Sequence, residues 1–374
     1  MTGKNIFFLS SDGFPTKKNV NLGIFTFEQA KALKNYNRFL FDLSTNKTNK
    51  IFIDEYQELK IYRLLNSKFN IIKILKNFFF LKKIFKKNKP EIILSSFLNI
   101  RNFIYSIFLD SKKIILIHGS DANTKSFAKK IIFKFYLNKL DKIICVSNYT
   151  KKILLKNFKN IKHKTIVIHN GFSREKLDRI DYNLKKRFSL KKIYILTVAN
   201  LVPRKNLSDL IEIFYKINLK YKNKYHLNII GQGSEKEKLK KEINFYKLQK
   251  NISIFSNLSD PQIALFYASS KYFFLLSKNY KHEFEGFGIV FLEAMYKKNL
   301  IFASKNGGTV DILKNKKNSF SFNVEKLNYK KRIIDEFFWL EKNKKFQKKI
   351  ITNAFQYSKK FSWEKNINSI INSL

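Results

Sequence analysis

Short apolar runs alternate with helical patterns along nearly the whole chain, and they do so in two successive blocks. Residues 6–10, 91–95, 114–118 and 142–147 read as buried strands of a first block. Residues 194–199, 227–231, 252–255, 272–277 and 300–304 read as strands of a second. Between them lie helical stretches at 27–35, 206–218, 235–247, 260–269 and 289–297. Strand–helix alternation of this kind predicts an α/β protein with two doubly wound, Rossmann-like domains of parallel strands. The length agrees, because 374 residues exceed the usual size of a single core. The expected boundaries are 1–172 and 173–355, with a final segment at 356–374 and a polar hinge around 170–191.

Composition excludes several classes. With 44% hydrophobic residues the chain has material for a core and is not disordered. A single cysteine, Cys145, rules out a disulfide framework and a cysteine-based zinc site and points to a reducing compartment. No apolar run approaches the roughly 18 residues of a membrane span. The first residues read as a buried strand rather than a leader, so a cytoplasmic location is expected.

The formal charge of +46 comes from 74 Lys and Arg against 28 Asp and Glu. Only eight of the cations are Arg, and the chain is rich in Lys, Asn, Ile and Phe, all with A/T-rich codons, so base composition accounts for much of the charge. A nucleic-acid function finds no zinc-finger spacing or RNP-like pattern to support it. One stretch is more pointed: from Leu59 to Pro90 there is no acid and there are ten cations. Within it, the segment from Asn70 to Lys87 sets Ile71, Ile74, Leu75, Phe78 and Leu81 at helical spacing among lysines. That pattern fits an interfacial helix on an anionic membrane or an ordinary helix packing on a core.

Ligands of such sheets bind at strand carboxyl ends and helix N-termini, and all of the eleven glycines except Gly3 follow an expected strand or open an expected helix. The strongest segment is 283–295, EFEGFGIVFLEAM. Gly286 and Gly288 bracket Phe287 just before an apolar helix starting at Ile289, which presents free N–H groups and a positive dipole end to an anion. Glu285 lies outside that helix and Glu293 about one turn inside, where a carboxylate suits ribose hydroxyls. In 194–206, YILTVANLVPRKN, a strand ends in Arg204 and Lys205, a planar fork and a point charge suited to a diphosphate. LNIIGQG at 227–233 runs a strand into Gly-x-Gly, and IILIHGSD at 114–121 places His118 at a strand end.

Taken in order, these segments, with VSNYTKKIL, VIHNGF, NGGTVDIL and FSWEK, resemble the retaining glycosyltransferases of the group 1, or family 4, type. The resemblance implies a GT-B fold, two Rossmann-like domains facing across a cleft, with an acceptor-side first domain and a donor-binding second domain. It also implies a last helix returning to the first domain. It assigns Arg204 and Lys205 to the donor diphosphate and Glu293 to the nucleotide ribose. Glu285 and the backbone of Phe287, Gly288 and Ile289 fall to the sugar and phosphate. Gly23 falls to a loop near the diphosphate, Leu258 to the base and His118 to the sugar; His118 and Glu285 are the expected catalytic side chains. The chain departs from the family pattern at Ala199-Asn200, where Gly-Arg is usual, at Lys298-Asn299-Leu300, where Gly-x-Pro is usual, and at Asp311, where Glu is usual.

The implied activity is retaining, metal-independent hexosyl transfer from a UDP- or GDP-linked sugar to a glycan or lipid-linked acceptor, in the synthesis of bacterial lipopolysaccharide or capsule. No Asp-x-Asp occurs in the sequence. No cofactor is expected beyond the nucleotide-sugar co-substrate, and the anionic membrane is an expected partner of Asn70–Lys87. The alternatives are a non-catalytic GT-B binding protein and a basic membrane or nucleic-acid surface binder.

Overall fold

The structure, a computed structural model, describes all residues except 1–3, 18, 21, 45–49, 67–69 and 125; Gly3 and part of the acid-free stretch therefore lie outside the described residues. The chain divides into two compact units, Met1–Gly171 with Trp363–Leu374, and Phe172–Ser362. The fold class is as the sequence indicates: each unit is an α/β body built on one sheet.

The first unit holds eight strands: β1 (Lys4–Ser10), β2 (Tyr36–Asp42), β3 (Phe52–Tyr56), β4 (Leu59–Arg63), β5 (Ile92–Ser96), β6 (Lys112–Ile117), β7 (Lys142–Cys145) and β8 (Thr165–Val167). Their order across the sheet is β3-β4-β2-β1-β5-β6-β7-β8. All neighbours are parallel except β3 and β4, an antiparallel edge hairpin. One face of the sheet, with Ile6, Phe8, Leu94, Ile114 and Leu116, packs on helix Ile24–Ala32 and on helix Trp363–Ile371, whose Ile367 and Ile370 are fully buried. The Gln29 amide donates to Asn366 Oδ1 at 2.8 Å, fastening these two helices, and Asn366 Nδ2 donates to the His169 carbonyl at 2.8 Å. The other face carries helices Ile71–Asn88, Ile100–Ser106 and Phe127–Asn138.

The expected stripe on helix Ile71–Asn88 is corrected by the structure. Ile74, Phe78 and Leu81 pack inward with Ile84 and Phe85, but Ile71 and Leu75 point to solvent together with Ile72 and Phe79. The Phe78-Phe79-Phe80 run is thus split: Phe78 and Phe80 pack, and Phe79 is exposed. The 3.6-residue turn cannot bring all five expected positions and Ile84 and Phe85 onto one face.

The second unit is wholly parallel, with β9 (Ile193–Val198), β10 (Tyr225–Ile230), β11 (Ile252–Phe255), β12 (Tyr272–Leu275), β13 (Leu300–Ser304) and β14 (Phe320–Phe322) in the order β11-β10-β9-β12-β13-β14. A dense aromatic core, including Tyr225, Tyr272, Phe274, Phe302 and Phe337, fills one side. In both sheets the strand order reverses direction once, between β1 and β5 and between β9 and β12. Those reversals open crevices at the strand carboxyl ends, where ligands of such folds bind.

Candidate functional site

In the second unit the expected residues gather at the β9/β12 reversal. After β9 the chain forms a short turn, Pro203–Lys205, then Asn206 at φ 54°, and enters helix Leu207–Lys220. The turn points Arg204 and Lys205 at one carboxylate. Glu285 Oε2 accepts from Lys205 Nζ at 2.5 Å, from Arg204 Nη1 at 3.0 Å and from Ser277 Oγ at 3.3 Å. Arg204 Nε also lies 3.6 Å from Glu283. Burial raises the Glu285 carboxyl, but the Lys205 and Arg204 charges outweigh burial and hold it at about 2. Sequence spacing had placed the cations and the acid on separate segments; the fold joins them into one charged cluster.

Glycine geometry fixes that cluster. Gly307 sits at φ 58°, and a Cβ there would lie 2.4 Å from the Glu285 carbonyl oxygen. The N–H of Gly308 donates to the same carbonyl at 2.7 Å. The Gly-Gly turn after β13 is therefore a close seat for the Glu285 backbone. Gly288, at φ 87°, makes the left-handed turn that starts helix Ile289–Tyr296. Gly231 and Gly233 let the loop after β10 run against the loop after β9: a Cβ at Gly231 would lie 1.9 Å from the Ala199 carbonyl. The Leu201 N–H donates to Gln232 O at 2.9 Å across that contact.

Glu293 faces a different neighbour. The hydroxyl of fully buried Tyr267 donates to its Oε2 at 2.9 Å, and burial raises its carboxyl. Tyr267 comes from helix Asp260–Ser269, which a Ser259/Gln262 capping box starts directly after Leu258. The departure at Lys298-Asn299 has a structural answer. Lys298 adopts φ 63°, a conformation easier for glycine. Buried Asn299 donates from Nδ2 to the Tyr267 carbonyl at 2.9 Å, tying the Tyr267 helix down.

In the first unit, Gly23 follows β1 and His118 follows β6, on either side of the β1/β5 reversal. Gly23 has φ 53°, and a Cβ there would fall 1.9 Å from the Gly13 carbonyl. His118 Nε2 lies 3.3 Å from Ser96 Oγ, which also bonds Thr26 Oγ1. The imidazole is flanked by Phe25, centroids 5.6 Å apart, and Phe97, 4.5 Å apart. Burial lowers its pKa to about 4, so it is neutral near pH 7, and its buried Nδ1 has no partner among the described residues. Asp121 braces the same loop, accepting from the N–H of Gly119 at 2.7 Å, His118 at 3.1 Å and Leu98 at 3.3 Å. Ser96, Thr26, Phe97, Asp121, Ser277 and Tyr267 are site neighbours that no sequence motif announced. Asp121 alone left a trace, three residues after His118. Among the described residues no cluster of three His, Cys, Asp or Glu side chains is placed to hold a metal ion.

Comparison with known proteins converges on one family. Residues 178–357 match Glycosyl transferases group 1, and residues 24–176 match Glycosyltransferase Family 4. An uncharacterised glycosyltransferase of Methanocaldococcus jannaschii is 29% identical over 86% of this chain and 83% of its own length. A glycosyltransferase from Rickettsia africae superposes with a TM-score of 0.79, at 21% identity, over 100% of this chain and 98% of its own. HepE from Anabaena, solved in complex with UDP-glucose, gives 0.77 at 15% identity over 99% and 100%. These structural likenesses establish the fold.

Proposed function

Because the chain belongs to the group 1 glycosyltransferases and has their fold, we propose that it transfers a hexosyl group from a UDP- or GDP-linked sugar, with retention and without a metal, to a glycan or lipid-linked acceptor of a bacterial surface polysaccharide. The observation that carries this reading is the Arg204–Glu285–Lys205 cluster beside the glycine-opened start of helix Ile289–Tyr296. Two cations and the positive end of helix Ile289–Tyr296 are the equipment for a diphosphate leaving group as the sugar gains positive charge. Arg204 and Lys205 take the diphosphate, with the amides of Phe287, Gly288 and Ile289 at the phosphate and sugar. Glu293, oriented by Tyr267, takes the ribose; the main chain at Leu258 meets the base. Glu285 takes the sugar hydroxyls. Two fixed cations supply the neutralisation that other transferases take from a bound metal ion. No covalent nucleophile is assigned: the acceptor hydroxyl attacks from the leaving-group side. Neutral His118 hydrogen-bonds the sugar, with the Gly23 loop near the diphosphate. HepE's UDP-glucose complex supports a uridine donor.

The same reading places the protein on the cytoplasmic side of an anionic membrane, docked through helix Ile71–Asn88. Among the described residues no helix is long and apolar enough to cross a membrane. The test is a panel of UDP- and GDP-sugars. One donor should raise the melting temperature and, with a lipid-linked acceptor, give a product of the donor's anomeric configuration in excess EDTA. A panel with no shift and no turnover would overturn the reading.

A further inference from the structure

Helix Phe127–Asn138 has two apolar faces where a packed helix needs one. Phe133, Tyr136 and Leu137 are buried against the β6/β7 side of the sheet. Phe127, Ile131 and Phe135, four residues apart and so in one line along the helix, are 78%, 57% and 52% exposed. Lys130 and Lys134 border that line, and no acid occurs between Asp121 and Asp141.

This line shares a face of the sheet with helix Ile71–Asn88. Parallel pairing puts partnered residues on the same side, and Leu9, Ser95, Ile115 and Ile143 are partners across β1, β5, β6 and β7. Leu9 packs with the first helix's cluster, and Ile115 and Ile143 with the second's. The segment between them bridges the two. Phe103 lies 6.1 Å from Phe135, and Phe108, 76% exposed, lies 6.1 Å from Phe78. Ile71, Ile72, Leu75 and Phe79 expose the first helix's outer side. Between Leu59 and Leu140 there are three acids against eighteen Lys and Arg. Of the three, Glu91 pairs with Lys4 at 3.1 Å and Asp121 is taken up by backbone N–H groups, leaving Asp110.

We propose that Phe127, Ile131 and Phe135, with Lys130 and Lys134, form a second membrane-inserting element, and that the two helices together are one docking face for an anionic lipid bilayer. The proposal rests on the membrane contact assigned above to helix Ile71–Asn88 and enlarges it. Large apolar side chains exposed in line, bordered by lysine and without acids, complement an interface whose headgroups are negative and whose acyl boundary is apolar. Two separated helices also fix an orientation, which one helix cannot.

The test is co-sedimentation of the full chain with phosphatidylcholine vesicles and with vesicles of phosphatidylcholine and phosphatidylglycerol. Three proteins are compared: wild type, Phe127→Ser/Ile131→Ser/Phe135→Ser, and a variant with Lys73, Lys76, Lys82, Lys83, Lys86 and Lys87 changed to Gln. Wild type should sediment with anionic vesicles only. The serine variant, with an unchanged melting temperature, should lose about tenfold or more in partitioning. In a separate variant, Ile131→Trp fluorescence should shift to the blue on adding anionic vesicles. A serine variant that sediments like wild type overturns this proposal, while the helix Ile71–Asn88 reading stands if the Gln variant is lost. Wild type that does not sediment overturns both. A serine variant that changes only from dimer to monomer, with vesicle binding intact, marks the face as a contact between copies and also overturns it.

Discussion

A helix of the first unit and the site of the second place their cations in different surroundings. In the second, several partly or fully buried cations are paired with acids: Arg204 and Lys205 with Glu285, Lys330 with Asp209 and Glu212, Lys271 with Glu341. In the first, among the described residues, no ion pair engages Lys73, Lys76, Lys82, Lys83, Lys86 or Lys87, which stand on a helix with exposed apolar side chains. The lysines of that helix face solvent, where they can meet an external anion, while Arg204 and Lys205 are preorganised around an internal one.

Three experiments test that contrast. The largest effect should come from Arg204→Ala/Lys205→Ala. Each charge-assisted contact contributes about 1.5–3 kcal/mol, so turnover should fall at least about a hundredfold. The melting temperature of the second unit should fall as well, because Glu285 is left buried and unpaired. Turnover near wild type would show that the cluster is structural only. A smaller effect is expected from Gly307→Ala. The added methyl collides with the Glu285 carbonyl, and alanine at positive φ costs about 1 kcal/mol or more. Sugar transfer should drop about tenfold while binding of bare nucleotide diphosphate, measured by calorimetry, stays within a few-fold. Equal losses would separate the Gly-Gly turn from the sugar end of the site.

The smallest effect is in pH dependence. Glu285, held at about 2 when folded against roughly 4.3 unfolded, contributes stability above pH 4.3 that is lost as pH falls toward 2. His118 is lowered to about 4 from about 6.5, so its contribution is complete above 6.5 and is lost as pH falls toward 4. Titrating the His118 ring protons by NMR should give a midpoint near 4. A midpoint near 6.5 would mean the Phe25–His118–Phe97 stack is open to water.

The sequence made the parallel strands and the ordered loops legible because each buried strand is a short apolar run and each ligand loop carries glycine or charge. It did not reveal β2, β3, β4 or the short edge strands β8 and β14. YNRFLFD at 36–42 mixes polar and apolar residues, and the β3–β4 hairpin turns on Gln57 and Glu58, both at positive φ, without the Asn-Gly or Asp-Gly signal of such turns. Arg204, Lys205, Glu285 and Glu293 could be picked from local motifs. Their partners could not: Ser277, Tyr267 and Ser96 are ordinary residues brought to the site by strand order. Equally, the exposed line on helix Phe127–Asn138 was hidden because periodicity marks an apolar side without saying which of two will be covered.

The return of helix Trp363–Ile371 to the first unit has a temporal consequence. Ile367 and Ile370 complete a core whose other members lie before residue 169, and Asn366 joins Gln29 to the His169 carbonyl. As the chain leaves the ribosome, that core stays open on one flank throughout the synthesis of 172–362. The first unit is begun first and closed last, so its maturation waits on translation of the second. A ribosome stalled within residues 172–362 presents a first unit whose Ile6 and Leu116 face has helix Ile24–Ala32 but lacks Ile367 and Ile370, a state for chaperones to hold rather than a finished domain.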